Sequence, residues 1–154
     1  MSESKLKYYK GLFLIAAVYD LILGVVFTFF TAPAFNLLGI PEKLPEFPGY
    51  LTLIGAYLLI IGVAYYLIYR GDLYKNRDLI LIGVLYKFAY CTITFYYFIV
   101  GDIPHILFLG LFGVIEVIMF VLIAECYLTA FEECNNRAGS GKLNREDALA
   151  ILRI

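Results

Sequence analysis

The chain has 154 residues, of which 62% are apolar and only 16% charged; soluble domains carry about 45–50% apolar and about 25% charged residues. With a net charge of −1 and a mean hydropathy of +0.84, this excludes an ordinary soluble domain and gives no signal for a nucleic-acid partner. The length allows one domain, and the solvent its composition requires is a lipid bilayer.

A spanning helix needs about 20 mostly apolar residues. The first such segment covers about residues 9–30 and follows Lys5, Lys7 and Lys10. It is longer than the roughly 7–15 apolar residues of a signal peptide, and it contains Asp20, so a cleaved leader is not expected despite Ala32-Pro33-Ala34. Pro33, Pro41, Pro45 and Pro48 fill the connection to a second segment at about 49–69. Arg70, Gly71-Asp72, Lys75 and Arg77 form the next connection. A third segment, about 79–100, ends at Gly101-Asp102, and Pro104 opens a fourth at about 104–127. Proline at a helix start costs little, because the N–H it lacks has no helical partner there.

The predicted fold is therefore all-α: an integral membrane four-helix bundle over residues 1–130, followed by a polar tail, 131–154. In the tail, Gly139-Ser140-Gly141 reads as a linker. Asn144 and Asp147 carry a weak capping signature for a short helix over 145–153, with Leu149 and Leu152 on one face. The basic clusters at the N-terminus, in the 70–77 connection and in the tail alternate with basic-poor connections. The positive-inside rule then places both termini in the cytoplasm. With no Trp and 14 Tyr, the aromatic belt falls to tyrosine, and Tyr8, Tyr9, Tyr69 and Tyr74 read as interface anchors. His105 reads as an interfacial residue near Asp102.

A gapless superposition of residues 12–30 on 79–97 equates Leu12, Leu14, Ile15 and Tyr19 with Leu79, Leu81, Ile82 and Tyr86. It sets Asp20 on Lys87 and Gly24 on Cys91. Spans two and four echo each other through Pro48…Gly55 and Pro104…Gly110, so a duplicated helical hairpin is an expectation.

Three ionisable residues interrupt the apolar spans: Asp20, Lys87 and Glu116. A charge at bilayer depth costs roughly 2.5–3.5 kcal/mol on insertion scales, so such residues turn inward and find partners. The rise of about 1.5 Å per residue puts all three near one level. Each lies on a stripe of small or polar residues: Ala16, Asp20, Gly24 and Thr28; Gly83, Lys87, Cys91 and Thr94; Gly110, Gly113 and Glu116. Span two offers Thr52, Gly55, Gly62 and Tyr66. Small residues allow close helix approach in lipid. The stripes are expected to face one another, with Tyr19, Tyr86 and Tyr90 supplying hydroxyls, and these three tyrosines with Asp20, Lys87 and Glu116 are the candidate ligand-binding residues. Two acids and one base leave one negative charge uncompensated, to be met by a proton, a cation or a ligand group. The bland alternative is a buried pair that only sets helix register, or a Lys87 that snorkels to the headgroups.

Cys91, Cys126 and Cys134 show no CxxC spacing and no neighbouring His, so buried thiols are expected rather than a metal site. No catalytic motif is present, which leaves the catalytic set empty and the cofactor unspecified.

Size, topology, the Tyr19-Asp20…Gly24 motif, Lys87 and Glu116 together resemble the DoxX-like group of small membrane proteins over about residues 8–128. The resemblance implies a four-helix bundle in a prokaryotic cytoplasmic membrane and, for some members, quinone-linked redox activity. Three functions follow as expectations. The polar centre binds or transports a small molecule, a proton or a lipid headgroup, the chain acting as a homo-oligomer. Alternatively, the chain is an accessory subunit with a membrane-protein partner. The least favoured is a membrane enzyme using Asp20 or Glu116 as acid or base.

Overall fold

A computed structural model describes residues 2–101 and 103–139, with backbone alone over 134–139. Asp102, the side chain of Cys134 and the tail segment 145–153 lie outside the described residues. Four helices are long and apolar enough to cross a membrane: Glu3–Phe29, Gly49–Arg70, Arg77–Val100 and Ile106–Glu133. The protein is an all-α membrane bundle.

Helix α1, Glu3–Phe29, begins well before the apolar run. The Ser2 hydroxyl accepts from the Lys5 N–H at 3.3 Å, and Glu3 pairs with Lys7 one turn on, which together hold a polar first turn. Helix α2, Thr31–Leu37, lies inside the proline-rich connection that sequence reading left without structure. Pro33 falls in its first turn, where N–H groups lack helical partners. Phe35 and Ile40 turn inward and anchor this connection to the bundle. Helix α3 is Gly49–Arg70 and α4 is Arg77–Val100. Gly101, at φ 80°, closes α4 in the left-handed conformation that glycine adopts without strain.

The fourth span starts two residues after Pro104. His105 Nδ1 accepts from the Leu107 N–H at 3.1 Å and caps α5, Ile106–Phe108. A seven-residue π-helical segment, Leu109–Ile115, follows, and α6, Glu116–Gly139, completes the rod. Helix α6 continues past residue 130, where the composition turns polar.

The helices pair as two hairpins, α1 with α3 and α4 with α6. Glycines bring α1 and α3 together. A methyl at Gly55 would lie 2.6 Å from the Thr28 nitrogen, and one at Gly24 would lie 2.9 Å from the Leu59 nitrogen. Two apolar clusters form the interior. One, near the chain termini, contains Tyr9, Phe13, Ala16, Tyr65, Leu73, Ile123 and Cys126. The other, at the opposite end, contains Leu23, Phe27, Phe35, Leu58 and Phe112.

Two expectations are corrected here. Tyr9 is not an interface anchor. It is fully buried, on the same face as Leu12, Phe13 and Ala16, and donates to Glu125 Oε1 at 2.9 Å. On span two, Gly55 and Gly62 do face inward, but Thr52 and Tyr66 are exposed. The buried row is Gly55, Leu58, Gly62, Tyr65 and Ile68, a spacing of three and four that excludes both.

Candidate functional site

Asp20 from α1, Lys87 from α4 and Glu116 from the start of α6 meet between the two apolar clusters, and all three have no exposed surface. The Lys87 ammonium donates to Asp20 Oδ1 at 2.9 Å, Asp20 Oδ2 at 3.0 Å and Glu116 Oε1 at 3.0 Å. An ammonium has three N–H bonds, and these three contacts use them. Glu116 Oε2 lies 2.8 Å from Lys87 Nζ, yet no hydrogen bond is directed at it. Lys87 does not snorkel: two carboxylates within reach outweigh the distant headgroups for a fully buried ammonium.

The ring faces of Tyr19, Tyr65 and Tyr86 stand 5.5, 5.5 and 5.4 Å from the ammonium, within the range of cation–π attraction. Two of the rings are locked by their hydroxyls. Tyr19 donates to the Leu111 carbonyl at 2.7 Å, and Tyr65 donates to the Gly83 carbonyl at 3.2 Å. Gly83 leaves the space that the Tyr65 ring needs, since a methyl there would lie 2.7 Å from the ring. Leu111 belongs to the π-helical segment. Its wider turn re-registers the helix, and Phe112, Gly113 and Glu116 are buried together.

Tyr65 is the residue that sequence reading missed. Span two holds Tyr50, Tyr57, Tyr65, Tyr66 and Tyr69, and only the seven-residue spacing of Gly55 and Gly62 indicates which of them faces inward. Tyr90 stands outside the ionic layer. Its ring packs on Tyr86 at 5.0 Å and on Phe112 at 5.9 Å. The Tyr86 and Tyr90 hydroxyls lie near each other, outside strict hydrogen-bond geometry. Tyr86 Oη is buried and unbonded among the described residues, as is Thr28 Oγ1.

Beyond Tyr90 lies a chamber of about 490 Å³ between the hairpins. Phe27, Leu51 and Ile54 form one wall; Tyr90, Thr94 and Phe112 are among the residues of the other. The chamber is largely apolar, and Tyr90 links it to the ring that covers the ammonium.

Among the described residues, no group of three or more His, Cys, Asp or Glu side chains converges as metal ligands. Cys91 and Cys126 are buried and in no disulfide. Chemically, the centre is an occluded salt-bridge triad, able to hold or release a proton. No family model, curated protein or solved structure matches the chain.

Proposed function

We propose that this membrane protein binds a small lipid-soluble molecule within the bilayer, with its apolar part in the chamber and its polar end at Tyr90, beside the charged centre. The chamber carries this reading. About 490 Å³ falls inside the roughly 300–1,000 Å³ of small-molecule pockets, and the lining is apolar with a few polar groups at one end. Transport would require the occupied chamber to open to both sides, which is easier to build from an oligomer than from four helices. The likeness to DoxX-like proteins rests on the same residues and is part of this proposal, as is a cytoplasmic location for both termini, which the distribution of Lys and Arg supports.

Native mass spectrometry of the protein, extracted in mild detergent, tests the binding. The expected result is a reproducible extra mass of a few hundred daltons, lost in Thr94→Trp, which fills the chamber. Asp20→Asn, which disturbs the polar end, should weaken it. A bare protein under conditions that preserve other lipid adducts overturns the proposal.

One observation favours the second reading, an accessory subunit. Every side chain from Phe95 to Val100 at the end of α4 is exposed, so much of this stretch meets either lipid or another protein. The same spectra would then show a defined complex that Ile99→Arg disrupts.

A further inference from the structure

The charges of the buried triad do not balance. Asp20 and Glu116, if both ionised, surround one ammonium and leave a net charge of −1 in a layer without exposed surface. Apolar clusters close it on both sides. An uncompensated charge in such a medium costs several kcal/mol, and a proton is the smallest group that removes it. The groups facing the layer offer no second cation. Among the described residues, α1 gives Asp20 and Tyr19, α3 Tyr65, α4 Lys87, Tyr86 and Cys91, and α6 Glu116, with Tyr90 just outside the layer.

We infer that the triad is a proton-binding centre: Asp20 and Lys87 form the fixed ion pair, and Glu116 carries one exchangeable proton on Oε2. The position follows from the hydrogen bonds. Both Asp20 oxygens accept from the ammonium, whereas only one Glu116 oxygen does: Oε2, although 2.8 Å from Nζ, accepts no hydrogen bond and is the oxygen left to carry the proton. Tyr86 holds its ring over the same ammonium and has a buried hydroxyl without a partner among the described residues. The inference does not depend on the chamber, because a proton needs no cavity.

Infrared spectroscopy of the whole protein in lipid vesicles at neutral pH is the test, since a protonated carboxyl has a carbonyl stretch distinct from that of a carboxylate. The wild-type protein should show one such band. It should move when the protein is grown with carboxyl-¹³C glutamate and stay in place with labelled aspartate. Charge balance also predicts the variants: Glu116→Gln shows no band, because Asp20 and Lys87 then neutralise each other, and Lys87→Met shows two. Absence of the band in the wild-type protein overturns the inference, since both carboxylates are then ionised against some other cation. Movement of the band with labelled aspartate overturns the assignment to Glu116. The isotope experiment uses the native chain and stands even where a variant fails to fold.

Discussion

The two hairpins are built to different tolerances. In α1 and α3, three glycines set the backbones in contact: a methyl at Gly24, Gly55 or Gly62 would meet main-chain atoms at 2.9, 2.6 and 3.1 Å. In α4 and α6, a methyl at Gly110 would meet nothing within 4 Å, and one at Gly113 would touch only side chains. The first hairpin is a close-packed frame, held by dispersion over a long seam. At the end of the bundle that holds Phe27 and Phe112, the chamber lies between the second hairpin and this frame. The hairpins are joined by the two apolar clusters and by polar links: the Asp20–Lys87 pair and the hydroxyls of Tyr9, Tyr19 and Tyr65. In lipid, apolar surface gains little by leaving its solvent, so packing quality and hydrogen bonds decide which helices associate. A tight frame beside a looser arm is the arrangement that the proposed binding site calls for.

The comparison is broken most severely at the charge that joins the halves. Lys87→Met leaves two carboxyls facing each other without a cation, and removing one partner of a buried ion pair costs about 3–5 kcal/mol. Denaturant titration in detergent micelles, followed by circular dichroism, should show that loss at neutral pH. Part of the stability should return in acid, where the unfolded chain no longer gains by ionising the two carboxyls that the fold keeps neutral. Equal loss at both pH values would show that the charge is not what the lysine answers.

The next effect separates the hairpins themselves. Gly55→Ala drives a methyl against the backbone of α1 and should cost about 1–3 kcal/mol by overpacking. Gly110→Ala, in open space, should be neutral within about 0.5 kcal/mol. Similar losses for both in the same titration would dissolve the distinction between frame and arm.

Smaller again is Tyr65→Phe, which removes the hydroxyl that bridges α3 to the Gly83 carbonyl. A net loss of about 0.5–1.5 kcal/mol is expected. The ring remains over the ammonium, so the infrared band of the triad should not move. Smallest is Ile99→Ala near the end of α4, expected to leave the unfolding midpoint unchanged within error because this side chain is 80% exposed. A clear loss in detergent would reveal a contact between copies of the chain.

Much of the fold was legible in advance. Four spans and their connections follow from the run lengths of apolar residues and from the prolines and glycines between them. The charged layer was legible for a related reason: lipid rejects Asp20, Lys87 and Glu116, so their depths had to coincide and their side chains had to turn inward. The gapless superposition equated Asp20 with Lys87 and Tyr19 with Tyr86. In the bundle the first two touch and the rings of the second two flank the same ammonium, an arrangement that a two-fold axis between the hairpins would give.

By itself, then, the sequence determined the class, the number of spans and the identity of the buried charges, because each of these is set by the free energy of moving a residue type into hydrocarbon. It did not determine which apolar or aromatic residues face inward. A helix in lipid is apolar all round, so hydropathy has no period that separates core from lipid face. That is why Tyr66 was expected where Tyr65 sits, and why Tyr9 was placed at the interface rather than against Glu125. The π-helical segment that sets Glu116 in the layer, the helix α2 within the proline-rich connection and the chamber beside Tyr90 were decided only by tertiary structure. Each depends on how closely one helix can approach another, and that distance is set by pairs of residues far apart in the chain.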